Sequence, residues 1–208
     1  MTAQNLPLPV TPPAAAPFFI GADSAERADV MRWRKDARRN LIAERQALPQ
    51  AARQAAEARI MNELAGECGQ VIGLYWPFQG EPDLRPWAAQ MRARGATFAL
   101  PVVVNQGQPL EFREWSAETP LDRGVWDIPV PAQGAKALTP DLMIVPVVGV
   151  DGRRFRLGYG GGYYDRTIAA LRAAGQRPWV IGVGFEFQSL PTIFPLDHDI
   201  AMDRVILT

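Results

Sequence analysis

The sequence predicts an α/β fold of three layers: a mostly parallel (mixed) sheet flanked by helices, Rossmann-like but without a dinucleotide fingerprint. Two observations lead there. Apolar runs such as "DLMIVPVVGV" (141–150) and "PWVIGVGF" (178–185) lack polar alternation, as strands buried on both faces do. Segments of helical period stand between such runs, the pattern of strands joined by crossover helices. A chain of 208 residues suits one domain with a sizeable core. We expect a Pro- and Ala-rich extension over residues 1–22, with Phe18, Phe19 and Ile20 as docking candidates, and a single α/β domain over 23–208.

The first helix is expected after Asp23, where Asp23 and Glu26 resemble a capping box, and runs over "SAERADVMRWRKDARRNLIAERQAL" to about Leu48. At 100° per residue, Val30, Trp33, Ala37, Leu41 and Leu48 share one stripe, and Arg27, Arg34, Arg38 and Arg45 line its edge. Such a row is either a solvated basic face, the commoner case, or a set of cations at the rim of a cleft. Pro49 separates this helix from "QAARQAAEARIMNELAG", with Gly66 as its stop. "VIGLYW" then reads as a buried strand and "DLRPWAAQMRARG" as a helix stopped by Gly95. "TFALPVVV" and "PLEFREW" read as strands joined near "NQGQ". "DLMIVPVVGV" reads as one strand, "YYDRTIAALRAAG" as a helix ending at Gly175, and "PWVIGVGF" and "DRVIL" as the last strands. In such sheets ligands bind beyond the carboxyl ends of the strands, which points to the loops after Trp76 and Val150.

Composition narrows the chemistry. Lys plus Arg equals Asp plus Glu at 22 each, so overall charge favours neither nucleic acid nor membrane. One cysteine, Cys68, excludes an internal disulfide and a paired-cysteine metal site. One histidine, His198, excludes a zinc site built from histidines. Cys68 reads as a small apolar filler and His198, between two aspartates, as a hydrogen-bonded structural residue. No apolar run reaches the length of a membrane span, and the start lacks a basic leader, so a cytoplasmic location is expected.

"RRFRLGYGGGYYDR" (153–166) holds the sharpest signal. Gly158-Tyr159-Gly160-Gly161-Gly162 stands between a strand and a helix, where bare backbone and free N–H groups make an anion nest. It is not a dinucleotide fingerprint, because the sixth position is Tyr163, and no Gly-Lys exists to complete a P-loop. The plainer reading is a connecting turn. Arg153, Arg154 and Arg156 precede the loop, as phosphate partners would. Asp165 follows in the first helical turn, where it either complements the helix dipole or holds Mg²⁺ against a phosphate.

"VPVVGVDGRRFRLGYGGGYYDR" resembles the signature of the 5-formyltetrahydrofolate cyclo-ligase (5,10-methenyltetrahydrofolate synthetase) family. "RKDARRNLIAERQAL", "LYWPFQGEPDL" and "HDIAMDRVILT" resemble, in the same order, its basic helix, its substrate loop and its acidic closing segment, from roughly Arg32 to the end. The resemblance implies an ATP- and Mg²⁺-dependent ligase that converts 5-formyltetrahydrofolate to 5,10-methenyltetrahydrofolate through phosphorylation of the formyl oxygen. It implies that Arg34, with Lys35 as its neighbour, and Arg38 meet the ATP phosphates. Arg156, Leu157, Gly158, Tyr159, Gly160, Gly161, Gly162, Tyr163 and Tyr164 would form the nucleotide loop, with Arg156 and Tyr163 catalytic. Folate would meet Trp76, Glu81 and the loop from Tyr159 to Tyr163, and Asp165 with Asp203 would hold Mg²⁺. Arg34 stands where the family usually has lysine, and Tyr159 where some members carry a basic residue. A divergent, non-catalytic nucleotide- or folate-binding paralogue is the alternative. The resemblance implies a small folate partner, with or without a polyglutamate tail, and no nucleic acid or membrane; a monomer or homodimer is expected.

Overall fold

The computed structural model describes residues 24–208. The 1–22 extension, its docking candidates and the Asp23 capping box lie outside the described residues. Two helices open the chain, α1 (Ser24–Ala47) and α2 (Gln50–Glu63). They are followed by β1 (Val71–Gly73), α3 (Arg85–Arg92), β2 (Thr97–Val102), β3 (Glu111–Trp115), β4 (Leu121–Arg123) and β5 (Pro129–Pro131). Then come β6 (Ala137–Leu138), β7 (Leu142–Pro146), β8 (Gly149–Asp151), β9 (Arg156–Leu157) and α4 (Tyr163–Ala173). The chain closes with β10 (Trp179–Gly184), β11 (Ser189–Leu190) and β12 (Arg204–Leu207).

The main sheet has seven strands in the order β12-β10-β7-β1-β2-β3-β6. The first five run parallel and β3 antiparallel, the mixed sheet that the sequence predicts. Both faces are covered because alternate side chains of one strand serve opposite layers. Leu142 and Ile144 of β7 join Ile60, Trp87 and Met91 of the helices on one face. Met143 and Val145 pack with Ile168 of α4 on the other. The stripe of α1 seals a third cluster: Val30, Trp33, Ala37 and Leu41 pack on Val148, Leu157, Ile193 and Phe194. Leu48, placed on that stripe by its period, is only half-buried.

Three local expectations change. The run 141–150 is two strands rather than one: β7 ends at Pro146, and β8 turns into a separate sheet with β9 and β11. Side chains take over from the ladder at the break, where Gln188 donates to the carbonyls of Val147 and Val148. The segment 121–131, which carries no strong periodic signal, forms a β4–β5 hairpin with a 3₁₀ turn at Val125–Asp127 between its strands. Cys68 is exposed rather than a core filler, and His198, expected to be structural, is 61% exposed.

Candidate active site

Strand order reverses beside β1: the chain leaves β1 toward β2 on one side and later returns as β7 on the other. A cleft opens at the carboxyl ends of strands flanking such a switch. Here it is a cavity of about 410 Å³. Tyr75 and Trp76 line it from just past β1, Leu100 and Pro101 from β2, and Pro146 from the end of β7.

The glycine loop forms one wall. Gly160 (φ +98°) and Gly162 (φ +62°) take left-handed conformations that a Cβ would strain. Arg38 donates from Nε to the Gly158 carbonyl at 2.7 Å, and among the described residues its terminal nitrogens have no acceptor. Burial, and then the nearby Arg34 charge, lowers the Arg38 pKa to about 10, so it remains a cation at neutral pH. Buried Arg156 pairs with Asp165 at 3.2 Å and lies over the Tyr164 ring at 4.8 Å. Asp165, in the first turn of α4, also accepts the Ile200 N–H at 3.1 Å. Tyr163 packs against Gly161 and under the Arg166 guanidinium.

Opposite lies an aromatic and acidic wall. The tight turn before Glu81 has Gln79 at φ +46° and Gly80 at +81°, and it is held by Arg45, which donates to the Gln79 carbonyl, and Arg53, which donates to that of Gly80. The Glu81 carboxylate accepts the Phe78 N–H at 3.0 Å and the Tyr159 hydroxyl at 2.9 Å. Burial lifts its pKa to about 7, against the pull of Arg45 and these two donors. Burial likewise pushes the Tyr159 and Tyr164 phenols above their ordinary range. Trp76 sits edge-on to Trp115 with the Arg85 guanidinium 4.6 Å from its ring. The β4–β5 hairpin brings Trp126 over this wall, stacked on Phe78 at 6.1 Å and 11°.

Most of the residues singled out in the sequence line this one cavity: Arg34, Arg38, Trp76, Glu81, Arg156, Gly158, Tyr159, Gly160, Gly161, Gly162, Tyr163, Tyr164 and Asp165. Three do not. Lys35 is exposed on the far side of α1, so the helix register gives the inward position to Arg34. Leu157 points into the core cluster under α1. Asp203 is a correction: it accepts the Val180 N–H at 2.8 Å, at the amino end of β10, away from the carboxyl ends that form the cavity. The closing-segment aspartate on the cavity wall is Asp199, four residues earlier in the same acidic pattern. Reading the pattern from its second acid hides this, and only the direction of the final parallel strand separates the two. Tyr75, Phe78 and Trp126 also line the cavity, and none of them is a candidate from the sequence. Arg45 lay on the arginine row, whereas Trp126 carried no sequence signal.

Fold and cavity together define an open-sheet α/β protein with a cleft that is basic and glycine-rich on one side, and aromatic and acidic on the other. The profile of the 5-formyltetrahydrofolate cyclo-ligase family matches residues 23–208. Over 185 residues the chain is 30% identical to the 5-formyltetrahydrofolate cyclo-ligase of Mycolicibacterium smegmatis, covering 84% of this chain and 93% of that protein. It is 27% identical over 175 residues to the enzyme of that name from Escherichia coli K12, covering 81% and 93%. The fold matches the solved 5,10-methenyltetrahydrofolate synthetase of Aquifex aeolicus with a TM-score of 0.71 at 23% identity, covering 84% of this chain and 89% of that one. It matches that of Mycoplasma pneumoniae with a TM-score of 0.66 at 21% identity, covering 83% and 97%. The chain belongs to the 5-formyltetrahydrofolate cyclo-ligase family, a family of ligases. Among the described residues no helix is long and apolar enough to cross a membrane.

Proposed function

We propose that the chain cyclises 5-formyltetrahydrofolate to 5,10-methenyltetrahydrofolate with consumption of ATP. The γ-phosphoryl group passes to the formyl oxygen. N10 of the folate then attacks the activated carbon and loses its proton, and the oxygen departs with the phosphate. Both nucleophiles belong to the substrate, so no serine, cysteine or histidine is required of the protein. Its task is to hold two ligands in line and to balance charge on the moving phosphoryl group.

The observation that carries this reading is that both walls belong to one cavity. Arg34, Arg38 and Arg156 with the glycine loop suit a polyphosphate, while Trp76, Trp126 and Glu81 suit a flat heterocycle bearing N–H donors. Tyr163, at the start of α4, and Arg156 line the same cavity and are assigned the catalytic roles, Tyr163 between the two ligands and Arg156 on the transferring phosphate.

Asp165 and Asp199 fit Mg²⁺, which takes one or two carboxylates and completes its shell with phosphate oxygens and water. Among the described residues no group of three or more acidic, histidine or cysteine side chains is placed to hold a metal ion. When bound, Mg²⁺ would neutralise phosphate charge. The protein's own share lies in the pairs Arg34–Asp199 and Arg156–Asp165, which hold each carboxylate in place on the wall. A small-molecule folate partner and a cytoplasmic location complete the proposal.

The test is an absorbance assay with Mg-ATP and 5-formyltetrahydrofolate, following the near-ultraviolet band of the methenyl product. A rise that needs all three components supports the reading. A flat trace from folded protein that still binds ATP favours a non-catalytic binding module.

A further inference from the structure

Arg45 takes no part in the chemistry above, yet its side chain is completely buried. A buried guanidinium that does not line the cavity needs another explanation. Its Nε donates to the Gln79 carbonyl at 3.0 Å, its Nη1 to the Val147 carbonyl at 3.2 Å, and its Nη2 to the Tyr159 hydroxyl. One side chain of α1 thereby joins the loop after β1, the end of β7 and the glycine loop.

Arg45 also decides where the single Tyr159 proton goes. A guanidinium only donates, so the Tyr159 oxygen accepts from it and turns its own proton toward the two acceptors beyond, the nearer Glu81 Oε1 at 2.9 Å rather than the Phe78 carbonyl at 3.4 Å. Arg45 itself stays 3.9 Å from that carboxylate, so the contact runs through the tyrosine. Glu81 Oε2 is held by the Phe78 N–H at 3.0 Å. A carboxylate has about four lone-pair positions. Two are occupied by these donors and two are left for a ligand. The Tyr159 backbone belongs to the anion loop while its hydroxyl fixes the carboxylate of the opposite wall.

We infer that Arg45 is a positioning residue which, through the Tyr159 hydroxyl, orients Glu81 toward the folate and ties it to the nucleotide loop, so that the two substrates bind cooperatively. The inference rests on the function proposed above. A nucleotide that orders residues 158–162 also orders the donor to Glu81. By linkage, a folate gripped by Glu81 steadies the loop by the same factor. The charged and titratable groups facing Glu81 are Arg45 from α1, Tyr159 from the glycine loop, Arg156 from β9, Tyr164 from α4 and Tyr75 beyond β1.

The experiment compares full-length wild type with Tyr159→Phe, Arg45→Lys and Arg45→Met. Affinity for 5-formyltetrahydrofolate is measured from pH 6 to 9, with and without a non-hydrolysable ATP analogue and Mg²⁺, together with affinity for the nucleotide without folate. In wild type the nucleotide should tighten folate binding at least about fivefold. In Tyr159→Phe that factor should fall to about one. Folate affinity should fall roughly tenfold with the nucleotide present, as loss of a hydrogen bond to a charged group implies, while nucleotide affinity measured without folate should stay within about twofold. The pH midpoint of folate binding should move upward, because the Tyr159 donor favours ionised Glu81. Arg45→Met should behave like Tyr159→Phe, and Arg45→Lys should recover part of the coupling. If the Arg45 variants do not fold, Tyr159→Phe decides alone, since it keeps the ring between Phe78 and Trp126. Unchanged coupling and midpoint in an active Tyr159→Phe, or equal losses in the affinity for each ligand measured alone, overturn the inference alone. A folded wild type that neither binds nor converts the folate overturns the functional reading, and the inference with it.

Discussion

Arg34 of α1 and Asp199 of the C-terminal segment form a two-point ion pair, Nη1 to Oδ2 at 2.7 Å and Nη2 to Oδ1 at 3.2 Å, with both side chains buried. The pair ties the first helix to the last loop across 165 residues of chain. Asp199 also accepts the Leu196 N–H at 2.8 Å, and Arg34 reaches the carbonyl of Phe194 at 3.4 Å, a residue held at φ +50°. Breaking a buried pair leaves one charge uncompensated, which costs about 3–5 kcal/mol. Asp199→Ala should therefore unfold at clearly lower denaturant than wild type. The double variant Arg34→Met/Asp199→Leu should recover much of the loss, because neither charge is then stranded. Urea titrations of the single and double variants check this. Additive losses would mean that the two side chains do not act as a unit.

The aspartates of the closing segment can be told apart by activity. Asp165→Asn and Asp199→Asn should each lower Mg²⁺-dependent turnover by roughly 100-fold, the scale of the several kcal/mol that a metal contributes to charge stabilisation. Asp203→Asn should keep turnover within about threefold and lose about 1 kcal/mol of stability with its bond to Val180. The comparison is kcat at saturating ATP over a Mg²⁺ titration. A collapse in Asp203→Asn equal to that in Asp165→Asn would return Asp203 to the site.

How much was legible follows from the kind of signal. The glycine loop, Arg34, Arg38 and Asp165 could be read because motif and helical period are local properties of the chain, whereas Glu81 came only with the family resemblance. The main strands and the four helices were legible for the same reason. Arg45 was legible as one of a row but not as a buried connector, since its partners Gln79, Val147 and Tyr159 lie 34, 102 and 114 residues away. The choice between Asp199 and Asp203 depends on which end of the sheet each reaches, and that requires the direction of β12. Trp126 was invisible because its place over Phe78 comes from the β4–β5 hairpin, a short element whose residues are exposed or half-buried along most of its length. Such an element has no core-facing period to read.

Glu81 makes stability depend on pH even without ligands. Its pKa of about 7 in the folded chain lies above the ordinary 4.5, so folding takes up a proton between those values. The sign follows from linkage. The stabilisation from this group is complete below about pH 4.5, declines as pH rises, and is lost above about 7. Each pKa unit is worth about 1.4 kcal/mol, so the full change is a few kcal/mol at most. Glu81→Gln lacks the titration. The difference in unfolding free energy, wild type minus Glu81→Gln, should therefore fall steadily from pH 5 to 7.5 and then level off. A difference that stays flat across that range would show that Glu81 titrates as an exposed acid does.

Trp126 separates binding from stability most cleanly. Its side chain is 55% exposed, and the backbone there is left-handed at φ +57°, a conformation uncommon for any residue but glycine. A large apolar ring held in this way at the cavity mouth gains little from folding, and it gains more when a flat ligand covers it. Trp126→Ala should leave the midpoint of urea unfolding nearly unchanged, with a cost under about 1 kcal/mol, since an exposed side chain loses little burial. KM for 5-formyltetrahydrofolate should rise roughly tenfold, in line with about 1–1.5 kcal/mol for an aromatic contact beyond simple burial, and KM for ATP should hold. Trp126→Phe should recover most of the affinity because it keeps the stack on Phe78. The measurement is a pair of substrate titrations with the stability curve taken on the same preparations. If Trp126→Ala instead raised KM for ATP and left the folate value alone, the aromatic wall would belong to the nucleotide and the two ends of the cavity would exchange roles.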